Sequence, residues 1–149
     1  MKPYIYSARV TLYACRAVAA VVVVLLAGFP MLIGCYHENF RPLLSKERFT
    51  LISAFYACVP AVLIALWNMD RLLRNILKAQ LFITKNVSYI RGIRWCCLAV
   101  SLICLAATFG FPALILLAMI MAFLCLSVTV LGQVMKAGVE IREENDLTV

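Results

Sequence analysis

The sequence predicts an all-α integral membrane bundle of four transmembrane helices, with a cytoplasmic helical hairpin between spans two and three. Three observations predict it. Residues of the set AVILMFWYC make up 65% of the 149 positions and charged residues only 14%, with a mean hydropathy of +0.99. An ordinary globular domain is about 45–50% apolar and about 25% charged, and a soluble chain of this length cannot hide so much apolar side chain. The apolar residues also fall in four runs, each near the ~20 residues that cross a bilayer. Finally, Lys and Arg lie between and beside those runs rather than inside them. The composition excludes a soluble enzyme, a disordered tail, a coiled coil and a repeat solenoid. No run alternates polar and apolar residues as a membrane barrel requires.

The whole of 1–149 reads as one membrane domain. The first span runs from about Ala17 to Tyr36, with Val21 to Leu26 its most apolar part. A signal peptide is the alternative there, since the start is basic and Leu32-Ile33-Gly34-Cys35 is similar to a bacterial lipoprotein cleavage box. The run exceeds the 7–15 residues of a typical signal core, which favours a span. Pro30 is expected to bend it.

The second span runs from Phe49 to Met69, with a kink expected at Pro60. Ser53, Ala57, Ala61 and Ala65 recur every four residues along it. Such a small-residue face lets helix backbones approach closely in lipid. The expected partner is another span of the same chain, and a homodimer seam is the alternative.

The third span, from about Trp95 to Phe109, is short unless Ile90 to Arg94 continue the same helix. Arg91 and Arg94 then snorkel to the headgroups. Gly110-Phe111-Pro112 should break the chain before the fourth span, Ala113 to Met135, because Gly frees the backbone and Pro cannot continue a helix.

Charge placement sets the orientation. With four spans, the N-terminus, the second loop and the tail share one side and carry eleven of the 14 basic residues. The other side carries three, Arg41, Lys46 and Arg48. Short loops rich in Lys and Arg stay cytoplasmic, so both termini are expected inside.

Chemistry finds little foothold. The central turns of the spans hold no ionisable residue, whereas pumps and channels usually place such groups there. Ser53, Ser101, Thr108, Ser127 and Thr129 are hydroxyls that bond back along a helix or across to a neighbour. Arg16, at the inner edge of the first span, reads as a snorkelling side chain. The seven cysteines are an odd number with no C-x-x-C pair, and most lie in apolar runs as small hydrophobes. Cys35, His37 and Glu38 form the one trio with metal-ligand chemistry, but a solvated loop histidine is the simpler reading. No catalytic or cofactor motif is present, so no enzyme activity, cofactor or metal is expected.

The sequence becomes informative between spans two and three. Leu72, Leu73, Ile76 and Leu77 have helical spacing, so the second span should continue as an amphipathic helix. Thr84 is expected to cap a second helix carrying Val87, Ile90 and Ile93. The hairpin is basic, and its plainest role is contact with an anionic leaflet, at about 1 kcal/mol per basic residue. The tail after Met135 is acidic and is expected to extend the fourth helix. Docking of Glu140, Glu143 and Glu144 on Arg71, Arg74, Lys85 or Arg91 is the specific expectation, opposed by a solvated tail. Exposed pairs are worth only about 0–1 kcal/mol, so docking also calls for Ile141 or Leu147 to be buried.

Leu73-Arg74-Asn75-Ile76, Phe82, Asn86-Val87 and Ile90-Arg91-Gly92-Ile93, with the ending Val139 to Val149, resemble the two motifs of a bacterial membrane family known as domain of unknown function 2975. Ala79-Gln80-Leu81 stands where many members have a Gly-containing turn. The resemblance implies a four-span protein of the bacterial cytoplasmic membrane with no assigned reaction. It also implies a neighbouring small helix-turn-helix regulator as partner. The basic hairpin is not expected to contact nucleic acid directly, because it lacks interleaved aromatics and competes with the anionic leaflet for the same charges. The expected function is a membrane scaffold or sensor that holds such a regulator. The expected contacts are Arg71, Arg74, Asn75, Phe82, Asn86, Arg91, Glu140, Glu143, Glu144 and Asp146. A small-molecule or lipid transporter, or a subunit of a larger membrane complex, is the alternative.

Overall fold

The computed structural model describes residues 3–39, 44–78 and 83–147, with side chains for 9–36, 44–78 and 83–145. Four helices follow one another: α1 (Pro3–Asn39), α2 (Ser45–Leu77), α3 (Thr84–Ala107) and α4 (Leu114–Leu147). All four are long and apolar enough to cross a membrane, and the chain is a multi-pass membrane protein.

Three sets of contacts fix an antiparallel up-and-down order. Arg16 meets Asp70 and Phe29 stacks on Phe55 between α1 and α2. Asn75 meets Asn86 and Asn68 covers Gly92 between α2 and α3. Ser101 Oγ donates to the Ala118 carbonyl and Ile90 covers Gly132 between α3 and α4. Among the described residues α1 approaches only α2, while α3 lies between α2 and α4. The bundle is therefore open on one side. An apolar cleft of about 340 Å³ lies between the helices there, with Val22 and Phe29 of α1 facing Leu117 and Met121 of α4.

The central position of α3 follows from its sequence. Asn86, Ile90, Cys97, Val100 and Cys104 are buried, and Ile93 is half-buried between them. Their spacing alternates four and three, which keeps one stripe facing its neighbours. Cysteine suits this stripe because it is small and apolar, and Cys104 packs with Val100 and Ala118 in the core. Most remaining large apolar side chains are exposed, as expected where lipid is the solvent.

Several expectations about the helices need correction. The third span starts earlier than Trp95: Ile90 to Arg94 do continue the same helix, and α3 runs unbroken from Thr84 to Ala107. α2 does run on through Leu72, Leu73, Ile76 and Leu77, as their spacing predicts, and the helix carrying Val87, Ile90 and Ile93 is the start of α3 rather than a separate element. Thr84 is the first helical residue; Ile83 occupies the cap position without a side-chain bond. Pro30 and Pro60 lie inside α1 and α2, which continue past them as helix.

The small-residue face of α2 also lies differently. Ala54 and Val59 are buried, and Cys58, Ala61 and Val62 pack on the core, whereas Ser53 and Ala57 are exposed and Ala65 is half-buried. Packing therefore uses a stripe rotated by about one residue from Ser53 and Ala57. The larger Cys58 and Val62 contribute because they reach α3.

At the opposite end the expected break holds. The backbone turns through Gly110 to Ala113, and a Cβ at Gly110 would overlap the Thr50 side chain of α2. Close approach of the turn to α2 is what glycine permits here.

Candidate functional site

The charged end of the molecule gathers the start of α1, the end of α2, the start of α3 and the tail of α4. Its centre is Asp70. This carboxylate accepts from Arg16 Nε across the α1–α2 contact at 3.2 Å and from Arg74 Nη2 one turn along α2 at 2.6 Å. Asp70 is only 18% exposed, against 51% for Arg16 and 56% for Arg74. Arg16 thus holds α1 to α2, which snorkelling alone did not anticipate. The signal was in the sequence: Asp70 is the one acid between Glu47 and Glu140.

A second polar contact joins α2 to α3. Asn75 Nδ2 donates to Asn86 Oδ1 at 2.7 Å, and Asn86 is fully buried. A buried amide must be hydrogen-bonded, so this pair fixes the register of the two helix ends. Leu72 and Leu73 are buried beside them, giving the end of α2 an apolar inner face.

Arg71 is exposed and lies over the Trp67 ring, 5.2 Å from its centroid, while Arg94 lies 5.8 Å from the centroid of Trp95. Both are cation–π distances. The two pairs comprise both tryptophans of the chain and sit at the same end, where an interfacial belt is expected.

The tail continues α4 to Leu147, as expected, and packs along α3. Val139 is buried, and Thr84, Ser88, Arg91, Lys136, Glu140 and Glu143 line a groove of about 290 Å³ beside it. Arg91, Glu140 and Glu143 are therefore brought together. Glu140 Oε1 lies 3.6 Å from Lys136 Nζ on its own helix. Arg71 and Arg74 engage Trp67 and Asp70 instead. Burial of the tail is supplied by Val139 rather than Ile141, which is 60% exposed. Sequence reasoning missed Val139 because it sits beside Gly138, outside any evident apolar run. Glu144 is exposed on the same helix. Phe82 and the side chains of Asp146, Leu147, His37 and Glu38 lie outside the described residues; Cys35 is exposed.

No curated relative and no solved structure matches the chain. A family model described as a protein of unknown function (DUF2975) matches residues 2–149, and the chain belongs to that family.

Proposed function

We propose that the protein is a non-enzymatic scaffold or sensor of the bacterial cytoplasmic membrane, with both termini inside. Its charged end holds a cytoplasmic regulatory partner of the helix-turn-helix type. The observation carrying this reading is the groove between the start of α3 and the tail. Arg91 of α3 faces Glu140 and Glu143 of α4 there, with Lys136 on the same helix as the two acids and the hydroxyls of Thr84 and Ser88 alongside. Charges of both signs around a buried Val139 suit a protein surface, and the acidic tail suits a basic partner. The basic positions at this end favour the cytoplasmic side.

Affinity purification from membranes tests it, with the full chain and with a chain lacking residues 140–149. The full chain should recover a regulator that the truncated chain loses. Identical sets of recovered proteins would contradict the tail as the docking element.

A second reading has one specific observation in its favour. The cleft between α1 and α4 is lined only by apolar residues, which suits carriage of a hydrophobic molecule. Flux of such a molecule in reconstituted vesicles would favour transport over scaffolding.

A further inference from the structure

Beside the tail groove, a smaller cleft of about 120 Å³ lies between α3 and α4. Arg91 and Arg94 stand three apart on α3, and Gln133 and Lys136 stand three apart on α4. Residues three apart share a helix face, and the helices are antiparallel, so the two pairs oppose one another across the cleft. Gly132 allows this approach: a Cβ there would lie 3.2 Å from Ile90 Cγ2. Ile90 and Val128 give the cleft an apolar lining, and no carboxylate among the described residues lines it. Glu140 lies 3.6 Å from Lys136 Nζ and, with Glu143, lines the adjoining tail groove that Arg91 and Lys136 also border.

We propose that this cleft binds the phosphate of an anionic phospholipid, held by Arg91 and Arg94 from α3 and by Gln133 and Lys136 from α4. Guanidinium groups suit a phosphate oxyanion because their planar N–H forks match its geometry. A basic pocket between spans at the membrane surface is the setting in which anionic headgroups are recognised. The lipid source follows from what surrounds the cleft. Trp95 beneath Arg94 marks the interface, and Leu98, Leu102, Leu126 and Val130 are exposed farther along the two helices for the acyl chains. The inference rests on the membrane placement of the spans and not on the partner reading.

The test uses the full-length protein in nanodiscs mixing phosphatidylglycerol and phosphatidylcholine of identical chains, read by native mass spectrometry of retained lipid. Wild type should retain phosphatidylglycerol in preference. The R91Q/R94Q pair should lose that retention by more than about tenfold, because the charge-assisted bonds of two guanidinium groups to the bound phosphate are removed. The K78Q/R142Q control removes equal charge at the same end, outside the cleft, and should change retention less than about twofold, because solvent and salt screen exposed charges that do not touch the phosphate. Equal losses in both pairs, or equal retention of both lipids, would overturn the proposal. Inorganic phosphate in detergent should leave the melting temperature unchanged while phosphatidylglycerol raises it; stabilisation by phosphate alone would assign the cleft to a soluble anion and overturn the lipid. A Trp67→Phe protein leaves Trp95 as sole reporter with every cleft residue intact. Brominated-chain phosphatidylglycerol should quench it more than brominated phosphatidylcholine, and equal quenching would also overturn the proposal.

Discussion

The hydroxyl of Tyr56 on α2 donates to the carbonyl of Leu26 on α1 at 2.8 Å. Pro30 stands four residues beyond Leu26 and has no N–H, so α1 cannot satisfy that carbonyl itself. In hydrocarbon an orphaned carbonyl is costly, and α2 supplies the missing donor. The stacked Phe29–Phe55 rings, 3.8 Å between centroids, pack beside it. Among the described residues α1 approaches only α2, and it is held there by the Arg16–Asp70 ion pair, by an aromatic pair and by the backbone defect of its own proline.

Tyr56→Phe should therefore destabilise the protein by about 1–2 kcal/mol in detergent unfolding. Pro30→Ala should recover most of that loss, because an alanine N–H closes the helix bond to Leu26. Additive losses in the double variant would show that the carbonyl is not the shared element.

The Asn75–Asn86 pair gives a second cycle. Asn86→Ala should cost about 1–3 kcal/mol, since it removes a buried amide and leaves Asn75 without this acceptor. Asn75→Ala in that background should add less than it costs alone, by a coupling of about 1 kcal/mol in equilibrium unfolding.

Asp70→Asn should weaken the hold of α2 on α1. Because both arginines are about half exposed, the loss should be only about 1 kcal/mol. The salt dependence is the sharper readout. Raising ionic strength should lower the wild-type melting temperature and leave the variant less affected, because the wild-type contact is between charges.

Gly132 tests the close approach of α3 and α4. Gly132→Ala should be near neutral, since Ile90 need yield only slightly and alanine favours the helix. Gly132→Leu should cost about 1–3 kcal/mol by overpacking, and Ile90→Ala in the same chain should return part of it. Thermal unfolding in detergent measures both.

What the sequence revealed and what it hid have different physical origins. The four spans and the turn at Gly110 were legible because length, hydropathy and backbone freedom are local properties. The continuation through Ile90 to Arg94 was legible for the same reason, as helical periodicity crosses the membrane boundary there. The rotation of the α2 face was not: Ser53 and Ala57 have the right spacing, but α3 chooses Ala54, Cys58 and Ala61. Asp70 was missed although it is the one acid between Glu47 and Glu140, because only the return of Arg16 from α1 gives it a second partner. Asn86 was visible as part of a motif, yet its buried amide is satisfied by Asn75 of α2, a tertiary contact that sequence spacing does not reveal. Val139 was overlooked because burial on α3 is a tertiary event.

The central claim is that the α2–α3 end and the tail lie together on the cytoplasmic face. Cysteine labelling with a membrane-impermeant maleimide tests it most directly, using Lys78→Cys, Arg142→Cys and Leu44→Cys in a background without the native cysteines. Lys78→Cys and Arg142→Cys should react only in inside-out vesicles, and Leu44→Cys only from the outside. Reaction of Lys78→Cys and Arg142→Cys from opposite faces would contradict the account.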